Sequence, residues 1–133
     1  MDTIRASRIR VVVALLWLAL LPPASVARAQ PPNTTYYVAI AFSKSTGQYG
    51  YSSGWLSETN ARRDARSRCR ADDAAVVLVV GNGYAALALG DDQAAFGYGY
   101  SEDADEARRF ALESCGSETK NCKVVCCVHS WAG

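Results

Sequence analysis

Cys126-Cys127-Val128-His129 is the stretch of this chain where residue types capable of chemistry stand closest together. A thiolate beside an imidazole makes a nucleophile and its base, and cysteine with histidine also ligates zinc. Cys127 and His129 are two apart on an expected strand, so they can share a face. No third group to orient the imidazole is visible, no C-x-x-C spacing occurs, and His129 is the only histidine. Cys127 and His129 are therefore catalytic candidates of second rank behind structural or spare cysteines, and no metal or cofactor is expected. Asp72-Asp73 and Asp91-Asp92 are the other reactive groupings. Neither shows the ligand spacing of a calcium loop, and nothing joins them as paired carboxylates for glycoside cleavage. Both read as turn residues.

Five cysteines allow at most two bridges and leave one thiol over. Cys115 and Cys122 flank the short segment 116–121 and form the first expected pair. Closing so short a loop stabilises by roughly 2.5 kcal/mol on the chain-entropy estimate. Cys69 is expected to reach Cys126 or Cys127, a long-range link of roughly 4 kcal/mol on the same estimate. Adjacent strand residues point to opposite faces, so only one of that pair can serve.

Bridges need an oxidising compartment, and the amino end predicts one. Arg5, Arg8 and Arg10 precede the apolar run Val11–Leu21, Pro22-Pro23 breaks it, and Ala27-Arg28-Ala29 supplies a small-x-small cleavage site before Gln30. This is the pattern of a signal peptide over residues 1–29, and eleven apolar residues fall short of the ~20 that span a bilayer. A short linker, 30–35, then leads to a domain over 36–133, with no membrane span after cleavage and a secreted or periplasmic location. The leader takes four Arg and one Asp from 14 basic and 13 acidic side chains, leaving 10 against 12. A domain of net charge about −2 has no general electrostatic reason to bind nucleic acid.

The elements that must position these residues come in two copies. Ala39-Ile40-Ala41-Phe42 lies over Ala86-Leu87-Ala88-Leu89 and Tyr49-Gly50-Tyr51 over Phe96-Gly97-Tyr98, at an offset of 47. At an offset of 46, Ala61-Arg62-Arg63 matches Ala107-Arg108-Arg109, Ala65 matches Ala111 and Cys69 matches Cys115. Returning to 47 sets Val77-Leu78 on Val124-Val125. Self-similarity in this order predicts a duplication, with units at about 36–82 and 83–130. Each unit reads strand, turn, strand, helix, strand. Strands are expected over 36–42, 48–52, 75–80, 84–89, 95–100 and 122–128. Helices follow caps at Ser57 and at Ser101 or Asp103. Ala61, Ala65 and Cys69 form one small-residue stripe, and Ala104, Ala107, Ala111 and Cys115 another, widened by Phe110 and Leu112. The predicted class is α+β: two ββαβ repeats making a roughly six-stranded antiparallel sheet with two helices, supported by disulfides.

Taken in order, Ala39-Ile40-Ala41, Ser43 to Gly47, Gly50-Tyr51, Ala61 to Cys69, Ala86-Leu87-Ala88, Ala107 to Cys115 and Cys122-Lys123-Val124-Val125 resemble a bacterial family of small exported proteins catalogued as domain of unknown function 4189. The resemblance spans nearly all of 36–128 and implies no particular activity. It implies further cysteines where this chain has Ala75, Gly83 and His129, while Cys126 and Cys127 are additional.

Two surfaces are candidates for binding. Arg62, Arg63, Arg66, Arg68 and Arg70 crowd the first helix, read either as a solvated face with Arg62–Glu58 and Asp64–Arg68 pairs or as a patch for an acidic partner. Trp55, Tyr98 and Tyr100 belong to the aromatic set on the equivalent hairpins. Burial under the helices is the expectation there, an exposed platform for glycan or protein the alternative. Trp55 and Trp131 are expected to be the more exposed rings. The favoured function is a non-enzymatic module binding another protein; a Cys/His enzyme and a glycan or cell-envelope binder are the alternatives.

Overall fold

The computed structural model describes residues 31–131, so the expected leader lies outside it. The elements are β1 (Tyr37–Phe42), β2 (Tyr49–Trp55), α1 (Glu58–Cys69), β3 (Ala75–Gly81), β4 (Tyr84–Leu89), β5 (Gly97–Ser101), α2 (Ala104–Gly116) and β6 (Lys123–His129). The order is ββαβ twice. The six strands form two antiparallel sheets of three, β2-β1-β3 and β5-β4-β6, rather than one continuous sheet.

The central strands explain the division. Both are apolar on both faces, with large residues on one and alanine on the other. Val38, Ile40 and Phe42 alternate with Ala39 and Ala41, and Ala85 and Leu87 alternate with Ala86 and Ala88. A single sheet with helices on one side would leave the large residues in water. Instead the two large-residue faces pack together, joined by Leu78, Val125, Cys126 and Val128. The alanine faces receive the helices: Ala61, Ala65 and Cys69 on one sheet, Ala107, Ala111 and Cys115 on the other. The result is four layers, helix–sheet–sheet–helix. Each large side chain fully buried between the sheets stabilises by roughly 1.5–3 kcal/mol.

The helices lie unusually close to their sheets because the facing strand positions are glycines. A Cβ on Gly97 would stand 2.1 Å from the Cys115 nitrogen, and one on Gly50 2.3 Å from the Cys69 nitrogen. Where unit two has Gly99, whose Cβ would meet the Ala107 oxygen at 2.2 Å, unit one has Ser52, whose hydroxyl donates to the Ala61 oxygen at 2.6 Å. Ser57 caps α1 by accepting from the Asn60 N–H, and Asp103 caps α2 by accepting from the Asp105 N–H. Asp105 and Glu106 sit in the first turn of α2, where the helix dipole favours negative charge.

Strand pairing fixes how the units correspond. Tyr37 pairs with Trp55 although Ala39 pairs with Ser52, so β2 carries one extra residue at a bulge around Ser53–Gly54. Its partner β5 pairs without a break, Tyr84 with Ser101 and Ala86 with Gly99. That bulge is why the offset falls from 47 to 46. Beyond the helices, Ala41 pairs with Val76 and Ala88 with Val124, an offset of 48 rather than the 47 read from the sequence. Counted from the equivalent cysteines, the connection from Cys115 to β6 (116–122) is two residues longer than that from Cys69 to β3 (70–74). The counterpart of Cys122 is therefore Ala74, not Ala75, and the two occupy matching clusters beneath their helices. Each unit also closes on itself with a matched pair of hydrogen bonds. Asn82 N–H donates to Tyr36 O and Tyr36 N–H to Asn82 Oδ1, while Ser130 N–H donates to Gly83 O and Gly83 N–H to Ser130 Oγ.

Cys115 and Cys122 are bridged, with Cα atoms 6.0 Å apart. The expected bridge from Cys69 to Cys126 or Cys127 is not formed, and all three thiols are free. The layers account for this. Cys69 lies between α1 and the first sheet, Cys126 between the two sheets, and Cys127 between the second sheet and α2.

Candidate functional site

The pleat of β6 puts Cys127 and His129 on the α2 side of the second sheet, as their spacing predicts, yet no hydrogen bond joins them. The Cys127 thiol faces the Ala104 oxygen at 3.8 Å, and burial raises its pKa, with Arg108 opposing and Asp105 adding to the rise. His129 Nδ1 accepts the Trp131 N–H at 2.9 Å, and its ring meets Tyr84 edge-on at 4.6 Å. Cys126 is pushed up to about 11 by burial between the sheets. A nucleophilic cysteine needs the opposite shift.

The aspartate pairs are turn residues with identifiable tasks. Asp73 accepts from Ser43 Oγ at 2.5 Å and from Ser45 N at 3.1 Å, and Thr46 Oγ1 donates to Ser43 Oγ at 2.8 Å. The Ser43 hydroxyl, ahead of Ser45, holds the Asp73 carboxyl below its ordinary value. Asp91 accepts from Asn121 Nδ2 at 2.7 Å, and Asp92 Oδ1 accepts the Ala94 N–H. Among the described residues no group of three or more His, Cys, Asp or Glu side chains could hold a metal.

The arginines divide. Arg62 pairs with Glu58 at 2.8 Å and Arg68 with Asp64 at 3.1 Å, both at i,i+4 spacing. Arg63 lies in a shallow depression with Trp55, Asn60 and Asp64. Arg66 and Arg70 are exposed, and Arg70 ends α1 in the left-handed conformation at φ 55°. Arg68 and Arg70 line a second open depression with Tyr49, Tyr51 and Cys69.

The tyrosines behave otherwise than expected. In the Gly97-Tyr98-Gly99-Tyr100 alternation the glycines take the helix side, so the rings point away from α2. Phe96 reaches the core between the sheets, its ring tilted at 49° with its centroid 5.1 Å from that of Phe42, while Tyr98 and Tyr100 remain 43% and 61% exposed. Both exceed Trp55 at 37%, reversing the expected order, and Trp131 packs 4.4 Å from Tyr36. Phe110 and Leu112 do not widen the buried face of α2; they are exposed at its flanks.

Tyr98, Tyr100 and Phe110 instead line an open groove of about 550 Å³ together with Val80–Gly83, Ser101, Glu102 and Glu106. Ser101 Oγ donates to Glu106 Oε1 at 3.1 Å. No basic side chain lines it. Of this lining the sequence offers Tyr98 and Tyr100 as binding candidates, and Glu102, Glu106 and Phe110 are not among them.

A family model described as "Domain of unknown function (DUF4189)" matches residues 37–128. The chain belongs to that family. No curated protein and no solved structure matches it. The matched span takes in both units of the fold. Of the family-like motifs, Ser43 to Gly47 is the turn pinned by Asp73, and Ala61 to Cys69 and Ala107 to Cys115 are the helical stripes seated on glycine. The groove is built from the β3–β4 turn, the stretch Tyr98–Glu102 and the exposed flank of α2, and of the family-like stretches only Ala107 to Cys115 reaches it, through Phe110.

Proposed function

We propose that this DUF4189 protein is an exported, non-enzymatic module that binds another protein in the periplasm or outside the cell, with the groove beside β5 as its docking point. The supporting observation is the groove itself. Three exposed aromatic side chains are gathered there by a strand and a helix, and an open concave surface with few placed polar groups is the default form of a binding site. The residues that could do chemistry are otherwise engaged: Asp73 and Asp91 hold turns, and burial raises the thiol pKa of Cys126 and Cys127, away from a reactive thiolate. Export is supported by the leader pattern of residues 1–29 and by the use of a disulfide.

The test is capture from native envelope extract with oxidised, tagged residues 30–133 as bait, beside a Tyr98→Ala/Tyr100→Ala bait. One protein retained at near-equal amount by the first and lost from the second is the expected result. Empty eluates from the first bait would remove the protein-binding reading. A glycan binder is the second reading, favoured by exposed tyrosine faces next to carboxylates. It requires retention on peptidoglycan that the same double substitution abolishes.

A further inference from the structure

The duplication supplies an internal reference for the groove. By strand pairing, Ser101 stands where unit one has Trp55, and by the helix offset Phe110 stands where unit one has Asp64. In unit one the Trp55 indole lies across this position and donates its Nε1–H to Asp64 Oδ2 at 3.1 Å. The bulged Gly54 also donates its N–H to Ser130 O at 2.8 Å, tying the strand end to the segment after β6. Unit two has neither the extra residue nor the indole. The groove is thus the place that a flat N–H donor, facing a carboxylate, fills in the sister unit.

We infer that the groove receives an arginine side chain carried by a partner polypeptide, its guanidinium lying against Tyr98 and Tyr100 and donating to Glu102 and Glu106. This rests on the protein-binding reading above and names what the site takes. Three observations carry it. Charge is the first: neither Glu102 nor Glu106 has a basic partner among the described residues, and the lining contains no cation. Shape is the second. A guanidinium is planar, stacks on aromatic faces and offers a fork of N–H donors, whereas a lysine ammonium is a compact, strongly hydrated point charge. Third, the chain already makes this contact once at the rim. The Arg109 guanidinium lies 4.8 Å over the Phe110 ring and donates to Glu113 Oε1 at 3.1 Å. Glu113 meets the charge of Arg109, leaving the carboxylates in the groove for an incoming group.

The experiment is an amide-resolved NMR titration of folded, oxidised 30–133 with acetyl-Gly-Arg-Gly-amide. The lysine and glutamine analogues and chitotriose are run beside it. The arginine peptide should move the resonances of Gly81–Gly83, Tyr98–Glu102, Glu106 and Phe110, and bind at least tenfold more tightly than the glutamine peptide. Raising salt should weaken it. Glu102→Gln/Glu106→Gln should remove the preference while the rest of the spectrum stays in place. Ser101→Trp, which plugs the groove as Trp55 does in unit one, should abolish binding. Equal shifts from the glutamine peptide, shifts from chitotriose alone, or none at all would overturn the inference. So would an envelope protein whose capture both variants leave unchanged, although that result would leave the protein-binding reading standing.

Discussion

Cys126 and Cys127 are neighbours in the chain, yet β6 places their sulfurs in different layers, and the layer decides the chemistry of each. Cys126 lies between the sheets, where only a neutral thiol is tolerated, and its pKa is pushed up to about 11. In the unfolded chain a cysteine ionises near 9. Between those values the unfolded state holds fewer protons than the folded state, so stability falls as pH rises. The loss approaches about 2 kcal/mol at the top of that window. Burial shifts Cys69 and Cys127 in the same direction. Urea unfolding at pH 8 and pH 10.5 measures the slope, and Cys126→Val is expected to flatten it. An equally steep slope in that variant would assign the effect elsewhere. The same desolvation makes Cys126 slow toward a thiol reagent at pH 8.

At the scale of elements, the backbone of each helix rests on the backbone of a strand, and the glycines permit it. Gly97→Ala forces a methyl group to within 2.1 Å of the Cys115 nitrogen, where backbone rather than a flexible side chain must yield. Overpacking of this kind costs about 3 kcal/mol. Gly116→Ala, where a Cβ meets nothing within 4 Å, is the matched control and is expected to be neutral or slightly stabilising in thermal unfolding. A second prediction concerns the loops after the helices. Ala74 is to Cys69 what Cys122 is to Cys115, so Ala74→Cys is expected to form a second bridge. Closing that loop should raise stability by about 2 kcal/mol, read from thiol counts and from denaturation with and without reductant. The strands and helices themselves were legible, because alternation and the A-x-x-x-A-x-x-x-C stripes are local signals. Alternation assigns Tyr98 and Tyr100 to one face of β5, but it does not say which face the helix covers. That choice belongs to Gly97 and Gly99, whose missing side chains matter only once a helix is laid on them. The offset of 48 was hidden for a similar reason: the unequal connections after the helices show only once β3 and β6 are paired in their sheets, and the register shifts of those two strands match and leave the offset unchanged. The groove escaped notice because its making is an absence, Ser101 in place of Trp55.

Across the whole molecule, the two units share one core and keep separate outer ones. Val38, Ile40 and Phe42 of the first unit find their cover in Ala85, Leu87 and Val128 of the second. Residues 31–82 alone are therefore expected to remain unfolded by circular dichroism, and to gain structure when residues 83–131 are added. A cooperatively folded isolated half would contradict the shared core. The charges are as unevenly divided as the cores are even: α1 carries four arginines with Arg70 as its C-cap, while α2 and the segment leading into it carry most of unit two's acids. The contact between Tyr36 and Trp131, with the matched bonds that Asn82 and Ser130 make beside it, sets residues 36 and 131 side by side. Cutting at the Asn82–Gly83 turn and rejoining 131 to 36 would exchange which half is synthesised first without giving any strand a new neighbour. The permuted chain is therefore expected to reach the same fold, which is specified by what faces what rather than by the order of the halves along the ribosome's output.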